Sequence, residues 1–167
     1  MLSNIVKHSK VAIIGAGTAG NSVSSQLINS GVYRPEDITI FDPSRIHYYQ
    51  PGYTNIAGGV WKTTNPNVMR DRQSLLHPGI RWVREAVAEL EPSENKVKTA
   101  EGETYTYDNL VVASGVQLRY DMIEGAREAL DDPECPVGSM YDLRYAQKIS
   151  MLRENFKGGK AIFTVPV

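Results

Sequence analysis

The feature that most constrains this chain is a glycine-rich turn placed directly after an apolar segment near its start. Residues 10–14 read Lys-Val-Ala-Ile-Ile, and Gly15, Gly17 and Gly20 follow with the spacing G-x-G-x-x-G. In such a turn the first glycine permits a sharp reversal, the second lets a phosphate approach the backbone, and the third lets the next helix pack closely on the strand. The N-terminus of that helix then faces the phosphates with unpaired N–H groups. The segment therefore predicts a strand, a turn and a helix that bind a dinucleotide.

The residues after the turn support this prediction. Residues 22–30 carry apolar side chains at helical spacing, and a second apolar strand, residues 38–41, ends at Asp42. A carboxylate about 20 residues past the glycines is where a ribose 2′-hydroxyl needs a hydrogen-bond acceptor. A ligand with a 2′-phosphate would favour an arginine there, so Asp42 argues against it, while the nearby Arg45 keeps that alternative open.

Composition limits the class of protein. The chain has 167 residues, enough for one domain with its own core, and its 18 basic and 19 acidic side chains nearly cancel. This balance argues against binding of nucleic acid through net charge. The single cysteine, Cys135, excludes an internal disulfide, and its neighbouring acids and prolines do not favour a thiolate. We predict no metal site, because His47 and His77 lie far apart in the sequence and have too few cysteine or carboxylate residues near them to complete a set of metal ligands.

The middle of the chain departs from a simple nucleotide-binding unit. Residues 43–66 are rich in aromatic and turn-forming residues and show poor periodicity, which predicts a long loop. One interpretation is that this loop wraps a flat ring system, with Tyr48, Tyr49 and Tyr53 packing nearby. The alternative is that these tyrosines bury themselves against the protein's own sheet. A short helix is predicted over residues 67–76.

From residue 80 onward the pattern changes to short strands separated by turn signals. The predicted strands cover residues 80–83, 86–90, 96–99 and 103–107. We expect these strands to form a small antiparallel meander that leads into an apolar run over residues 109–115, suited to a buried parallel strand. Residues 144–153 predict an amphipathic helix.

The order of these elements resembles the flavoproteins that contain two dinucleotide-binding domains. Within that group, the chain resembles the sulfide:quinone oxidoreductases of the mitochondrial and related bacterial branch. The motifs that carry the resemblance are Asp42-Pro43-Ser44, His47-Tyr48-Tyr49-Gln50-Pro51, Ala57-Gly58-Gly59 and the run from Tyr107 to Gly115.

The resemblance implies an α/β fold. We expect a Rossmann-like FAD-binding domain, with a mostly parallel sheet, helices on both faces and a small antiparallel meander, incomplete relative to the two-domain family. The expected divisions are a ragged N-terminus over residues 1–9, the FAD-binding domain over residues 10–125, and a linker, a helix and the start of a second nucleotide-binding domain over residues 126–167.

The resemblance also implies a set of FAD contacts. The glycine turn would present backbone N–H groups to the phosphates, Asp42 would bind the adenosine ribose, Val87 would meet the adenine through its backbone, and residues 113–115 would line the flavin side. The complete expected set is Gly15, Gly17, Thr18, Ala19, Gly20, Asp42, Gln50, Val87, Ala113, Ser114 and Gly115.

In that family, sulfide attacks a redox-active disulfide, the resulting persulfide passes electrons to FAD, and quinone reoxidises the flavin at a membrane. The resemblance therefore implies the N-terminal FAD-binding part of such an oxidoreductase, with sulfide and quinone as partners and no nucleic acid. The implied location is the mitochondrial inner membrane or, alternatively, a bacterial cytoplasmic membrane, with membrane contact through segments beyond Val167. No catalytic residue is expected within this chain, because one cysteine cannot form the catalytic pair, and the chain alone is expected to be inactive.

Two other functions stay open at this point. The first is a truncated, non-catalytic fragment that binds FAD or another nucleotide. The second is a related flavoprotein of the NADH:quinone oxidoreductase type. The segment Tyr48-Tyr49-Gln50-Pro51 argues against the second, because it matches the sulfide-oxidising branch better.

Overall fold

Strand β1 lies inside the larger of two sheets in the computed structural model, which describes residues 6–164. β1 (Lys7–Ile14) pairs in parallel with β2 (Ile38–Phe41) on one side and with β8 (Thr104–Val112) on the other. Helix α1 (Thr18–Asn29) connects β1 to β2, as the sequence predicted. The opening motif therefore forms the expected βαβ unit.

The larger sheet has the strand order β5-β2-β1-β8-β7-β6. Its remaining strands are β5 (Arg81–Val83), β6 (Val87–Glu91) and β7 (Lys96–Thr99). β5 runs parallel to β2, whereas β6, β7 and β8 form an antiparallel meander. The predicted fold class, a mostly parallel Rossmann-like sheet with a small antiparallel part, is confirmed.

Two details of the strand prediction were wrong. The segment at residues 80–83 does not belong to the meander, because β5 pairs in parallel with β2. The predicted strands at 103–107 and 109–115 are one strand, β8, which pairs along its length with β1 and near its start with β7. A continuous strand lets the same residues satisfy a parallel neighbour on one edge and an antiparallel neighbour on the other.

The two faces of the sheet carry separate apolar clusters because side chains alternate along each strand. Val11 and Ile13 face the apolar side of α1, together with Ile38 and Ile40 of β2. Ala12 lies between them in the sequence and belongs to the other cluster, which contains Phe41, Val83, Val97, Tyr105 and Tyr107. Burial on both faces explains why β1 is a continuous apolar run.

The expected long loop and the following helix were also wrong. Residues 43–66 contain β3 (Ile46–Tyr48) and a short helix, α2 (Gly52–Ala57). Residues 67–76 form β4 (Met69–Asp71) and a 3₁₀ turn over Arg72–Ser74 instead of a helix. β4 pairs antiparallel with β3, and this pairing satisfies backbone groups that a helix would have paired internally.

The chain divides into two compact units. The first comprises residues up to Tyr49 together with Met69–Gln117, and the second comprises Gln50–Val68 together with residues from Leu118 onward. The second unit contains α2, α3 (Ala126–Asp131) and α4 (Leu143–Asn155), of which α4 was predicted. Its core consists of Tyr53, Ile56, Val68 and Ala146. The domain divisions at residues 9 and 125 stay predictions.

No helix within residues 6–164 combines the length and apolarity that crossing a membrane requires.

Candidate dinucleotide-binding site

The ends of three parallel strands are aligned at one edge of the first unit. Ile14, the last residue of β1, lies beside Phe41 of β2 and Val112 of β8. The residue after each strand end belongs to the predicted site. Gly15, Asp42 and Ala113 therefore emerge at the same edge of the sheet, which is where open α/β sheets bind their ligands.

Gly15 occupies a position that no other residue fits. Its φ is +96°, and its N–H donates to the carbonyl oxygen of Phe41 at 2.8 Å. A Cβ at this position would lie 2.3 Å from the carbonyl oxygen of Ala113. The first glycine of the motif is therefore required both by the turn and by the close passage of the segment that follows β8.

The other two glycines of the motif serve different purposes. A Cβ on Gly20 would lie 1.9 Å from the carbonyl oxygen of Gly15, so the missing side chain lets α1 pack against the turn. A Cβ on Gly17 would meet no atom within 4 Å. Packing of the chain on itself therefore explains Gly20 but not Gly17, and the space over Gly17 is available to a ligand.

The N-terminus of α1 is prepared for an anion. Gly17 is the N-cap, no side chain caps the helix, and its first turn contains no acidic residue. The first intrahelical hydrogen bond runs from the N–H of Asn21 to the carbonyl of Gly17 at 3.0 Å. The preceding N–H groups of the helix have no intrahelical acceptor, and Thr18 and Ala19 are exposed. Together with the helix dipole, these groups favour a phosphate.

Asp42 connects the end of β2 to the glycine turn. Its Oδ2 accepts a hydrogen bond from the N–H of Ala16, and its Oδ1 accepts one from the N–H of Ser44, each at 2.8 Å. Its own N–H donates to the carbonyl of Val83 at 3.0 Å, which extends the pairing of β2 with β5. The carboxylate side chain is 14% exposed. It is therefore held in one orientation at the surface of the site.

Arg72 is a buried residue of this site that the sequence reasoning missed. Its Nη1 lies 3.3 Å from Oδ2 of Asp42 and also donates to the carbonyl of Ala16. Its Nε donates to the carbonyl of Ser44 at 2.7 Å and its Nη2 to the carbonyl of Ile46 at 2.9 Å. One guanidinium thus joins the glycine turn, the carboxylate and the segment that leads into β3. In the sequence, Arg72 lies near the middle of the helix predicted over residues 67–76, and no motif around it indicates that it contacts the glycine turn.

His47 lies next to the backbone of Ala16 in the glycine turn. It belongs to β3 and is buried, and its Nδ1 has no hydrogen-bond partner among the described residues. Burial lowers the pKa of His47, and a hydrogen bond with the backbone of Ala16 opposes part of this shift. The charges of Arg72 and Arg70 lower the pKa further. A neutral imidazole is therefore favoured at this position.

A groove of about 500 Å³ borders this site within the first unit. Its lining residues are Arg45, Asp71, Gln73, Ser74, Trp82 and Arg84. The indole Nε1 of Trp82 donates to the carbonyl of Asp42 at 2.9 Å, and the guanidinium of Arg84 lies 5.3 Å from the centre of the Trp82 ring. Nε of Arg45 donates to the Asp71 carboxylate at 2.9 Å, so a local carboxylate compensates the charge of Arg45.

The remaining predicted site residues have different positions. The N–H of Ala113 donates to the carbonyl of Ile14 at 2.8 Å, and Ser114 and Gly115 follow it as exposed residues. Val87 begins β6 and packs on the cluster that contains Phe41. Gln50 begins the second unit, where its carbonyl accepts from the N–H of Tyr53. The roles of these residues toward a cofactor stay predictions.

The three tyrosines differ in their exposure. Tyr53 is buried in the core of the second unit, whereas Tyr48 and Tyr49 are each 42% exposed. Tyr53 is therefore buried, as the alternative expected, but its neighbours are Ile56, Val68 and Ala146 of the second unit instead of residues of the sheet. Across residues 6–164, no three His, Cys, Asp or Glu side chains are grouped as a metal ion requires.

The parallel sheet, the glycine turn and the carboxylate define a dinucleotide-binding domain. Residues 9–150 match the family model for pyridine nucleotide-disulphide oxidoreductases, and the chain belongs to this family.

Within that family, the resemblance to sulfide:quinone oxidoreductases is confirmed by individual relatives. The chain is 37% identical to the mitochondrial sulfide:quinone oxidoreductase of Schizosaccharomyces pombe, an alignment that covers 95% of this chain and 37% of that protein. It is 33% identical to the mitochondrial enzyme of Mus musculus, over 95% of this chain and 34% of that one. The chain therefore spans about a third of the length of these relatives.

A solved structure shares the fold. The chain resembles the sulfide:quinone oxidoreductase of the bacterium Aquifex aeolicus with a TM-score of 0.62 and 22% identity, over 89% of this chain and 32% of that one.

The cofactor of this family is FAD. The geometry of the first unit fits it. The free space over Gly17 and the unpaired N–H groups of α1 suit a pyrophosphate, and the Asp42 carboxylate suits a ribose hydroxyl.

Proposed function

We propose that this chain is the N-terminal FAD-binding part of a sulfide:quinone oxidoreductase of the mitochondrial type. The whole protein would oxidise sulfide to sulfane sulfur and pass the electrons through FAD to quinone. The observation that carries this proposal is the match in sequence to relatives of that name along 95% of the chain, on a site whose turn fits a pyrophosphate. The names of these relatives also favour a mitochondrial location.

The residues of this chain would bind and orient the cofactor. The N–H groups of Thr18 and Ala19 would hold the pyrophosphate over Gly17, and Asp42 would accept a hydrogen bond from the adenosine ribose. Val87 would contact the adenine through its backbone, and Gln50 and residues 113–115 would contact FAD further along. Bound FAD supplies the electron transfer.

No residue of this chain is assigned to the sulfur chemistry. That chemistry needs two cysteines, and the chain contains one, Cys135. Cys135 is half-buried and free, and it follows the exposed acidic segment at the end of α3. We therefore expect the sulfide-oxidising cysteines in the part of the relatives that this chain does not span, and we expect this chain alone to be inactive.

The test is a reduction experiment on the endogenous protein, whose intact mass is measured first. A protein much heavier than 18.5 kDa, whose flavin absorbance is bleached by sulfide without oxygen and restored by a soluble quinone, supports the proposal. The variant Cys135→Ser, produced recombinantly at the natural length, is the matched control and should respond as the unchanged protein does. Bleaching by NADH but not by sulfide would point to the NADH:quinone oxidoreductase type. A protein of 18.5 kDa that retains flavin and does not respond to sulfide would be a non-catalytic binding fragment.

A further inference from the structure

Arg72 is the most deeply buried charged side chain at the nucleotide site, with only 4% of the residue exposed. It follows β4, whereas the groups that it contacts belong to the glycine turn and to the segment from Asp42 to Ile46, where β3 begins. An arginine whose N–H groups face several carbonyls and a carboxylate fixes the positions of these acceptors relative to one another, because the guanidinium is planar and rigid. A buried charge is also costly unless it is paired, and the carboxylate of Asp42 is the ion-pair partner of this guanidinium.

The contacts of Asp42 determine which of its oxygens can serve a ligand. A carboxylate oxygen has room for about two donors. Oδ2 receives the N–H of Ala16 at 2.8 Å, and Nη1 of Arg72, which donates its hydrogen bond to the carbonyl of Ala16, lies 3.3 Å from Oδ2 as its ion-pair partner. Oδ1 receives the N–H of Ser44 at 2.8 Å and retains one free position. The guanidinium therefore lies beside Oδ2 and not beside Oδ1, on a carboxylate that is 14% exposed, so Oδ1 is the oxygen with room for a ligand hydroxyl.

From these contacts we infer that Arg72 is the positioning residue of the ribose site, and that Asp42 accepts one ribose hydroxyl through Oδ1 instead of two. The inference rests on the proposed FAD-binding function. Arg72 occupies the side of Oδ2 that a second hydroxyl would need, and it holds the carboxylate plane so that Oδ1 faces the ligand. The charge of Asp42 is compensated before the cofactor binds, so the carboxylate does not repel the neighbouring pyrophosphate.

The test compares FAD with two analogues that lack one hydroxyl of the adenosine ribose, the 2′-deoxy and the 3′-deoxy compounds. Dissociation constants are measured on apoprotein of natural length by flavin fluorescence. For the unchanged protein we expect one analogue to bind about tenfold more weakly than FAD, the loss expected for one charge-assisted hydrogen bond, and the other to bind about as well as FAD. Equal weakening of both analogues would overturn the single-hydroxyl inference.

The role of Arg72 is tested with Arg72→Met, which keeps the length of the side chain and removes its donors. We expect the tenfold preference for FAD over the sensitive analogue to fall below about threefold, because the carboxylate loses its fixed orientation. A purely structural role would weaken all three ligands equally and leave this ratio unchanged, and that result would overturn the inference. Arg34→Met is the matched control, since Arg34 is an exposed arginine that pairs with Asp37, and its ratio should equal that of the unchanged protein.

If Arg72→Met does not fold, Arg72→Lys replaces it in the comparison of FAD with the two analogues. An ammonium group keeps the charge but cannot imitate the planar donors of the guanidinium, so the ratio should again fall below threefold. An unchanged ratio in Arg72→Lys would overturn the positioning role. A protein of natural length that binds neither FAD nor the analogues would instead contradict the proposed function, and the inference with it, so the two failures are distinguishable.

Discussion

Nη1 of Arg72 lies 3.3 Å from Oδ2 of Asp42, and the two side chains are only 5% and 14% exposed. The contact joins the 3₁₀ turn after β4 to the end of β2. The same guanidinium donates to the carbonyls of Ala16, Ser44 and Ile46, so its loss would leave several polar groups unsatisfied at once.

Removal of this guanidinium should destabilise the protein strongly. For Arg72→Met we expect the free energy of unfolding to fall by about 3–5 kcal/mol, because a mostly buried carboxylate loses its ion-pair partner. Urea denaturation followed by circular dichroism measures this change. For Arg45→Met, which removes an exposed ion pair with Asp71, we expect a change below about 1 kcal/mol. Equal losses in the two variants would show that Arg72 contributes no more than a surface charge does.

Asp42→Ala should weaken the binding of FAD. We expect a loss of about 1–3 kcal/mol, because the ribose loses a charged hydrogen-bond acceptor. Equilibrium titration of the apoprotein with FAD, at natural length, gives the affinity. Glu89→Ala is the control, since Glu89 is an exposed carboxylate of the same unit that pairs with Lys98. An unchanged FAD affinity in Asp42→Ala would remove Asp42 from the site.

Two alanine substitutions in the glycine turn should separate folding from ligand binding. Gly20→Ala places a methyl group 1.9 Å from the carbonyl oxygen of Gly15, and we expect it to destabilise the apoprotein by about 1–3 kcal/mol. Gly17→Ala meets nothing within 4 Å, and we expect the stability of the apoprotein to change by less than about 1 kcal/mol.

The same Gly17→Ala variant should nevertheless bind FAD at least about tenfold more weakly, because its methyl group takes the space that the pyrophosphate needs. Thermal melts of the apoprotein and FAD titrations measure the two effects. A Gly17→Ala protein with undiminished FAD affinity would place the phosphates elsewhere.

His47 should make stability depend on pH below neutrality. Burial lowers the pKa of His47 in the folded protein below its unfolded value of about 6.5. Between these two pKa values the unfolded chain binds a proton that the folded chain does not, so stability is complete above pH ~6.5 and falls as the pH falls through this window. Urea denaturation at several pH values should show a smaller decline in His47→Gln than in the unchanged protein.

The matched control for this measurement is His77→Gln, because His77 is exposed. Its decline with pH should equal that of the unchanged protein. If His47→Gln and the unchanged protein lose stability in parallel, the acid sensitivity arises from carboxylates, and the neutral state of His47 does not contribute.

The part of the site that the sequence predicted correctly is local in the chain. The apolar run of β1, the three glycines and the helix α1 follow one another directly, and each is recognisable from its own residues. The part that was wrong depends on distant pairing. Residues 67–76 have apolar positions that suit a helix, but Met69–Asp71 pairs with Ile46–Tyr48, and the hydrogen bonds of that pairing cannot be read from either segment alone.

The sequence by itself determined the strand, turn and helix within residues 10–29 and the carboxylate at the end of β2, because glycine geometry and apolar periodicity act over a few neighbouring residues. Only the tertiary structure decided that β8 is a single strand between β1 and β7, and that Arg72 reaches Asp42. Both outcomes depend on contacts between residues far apart in the chain. The partners of a buried guanidinium depend on how the folded strands bring distant residues together, and no local pattern in the sequence specifies that the side chain of Arg72 reaches Asp42.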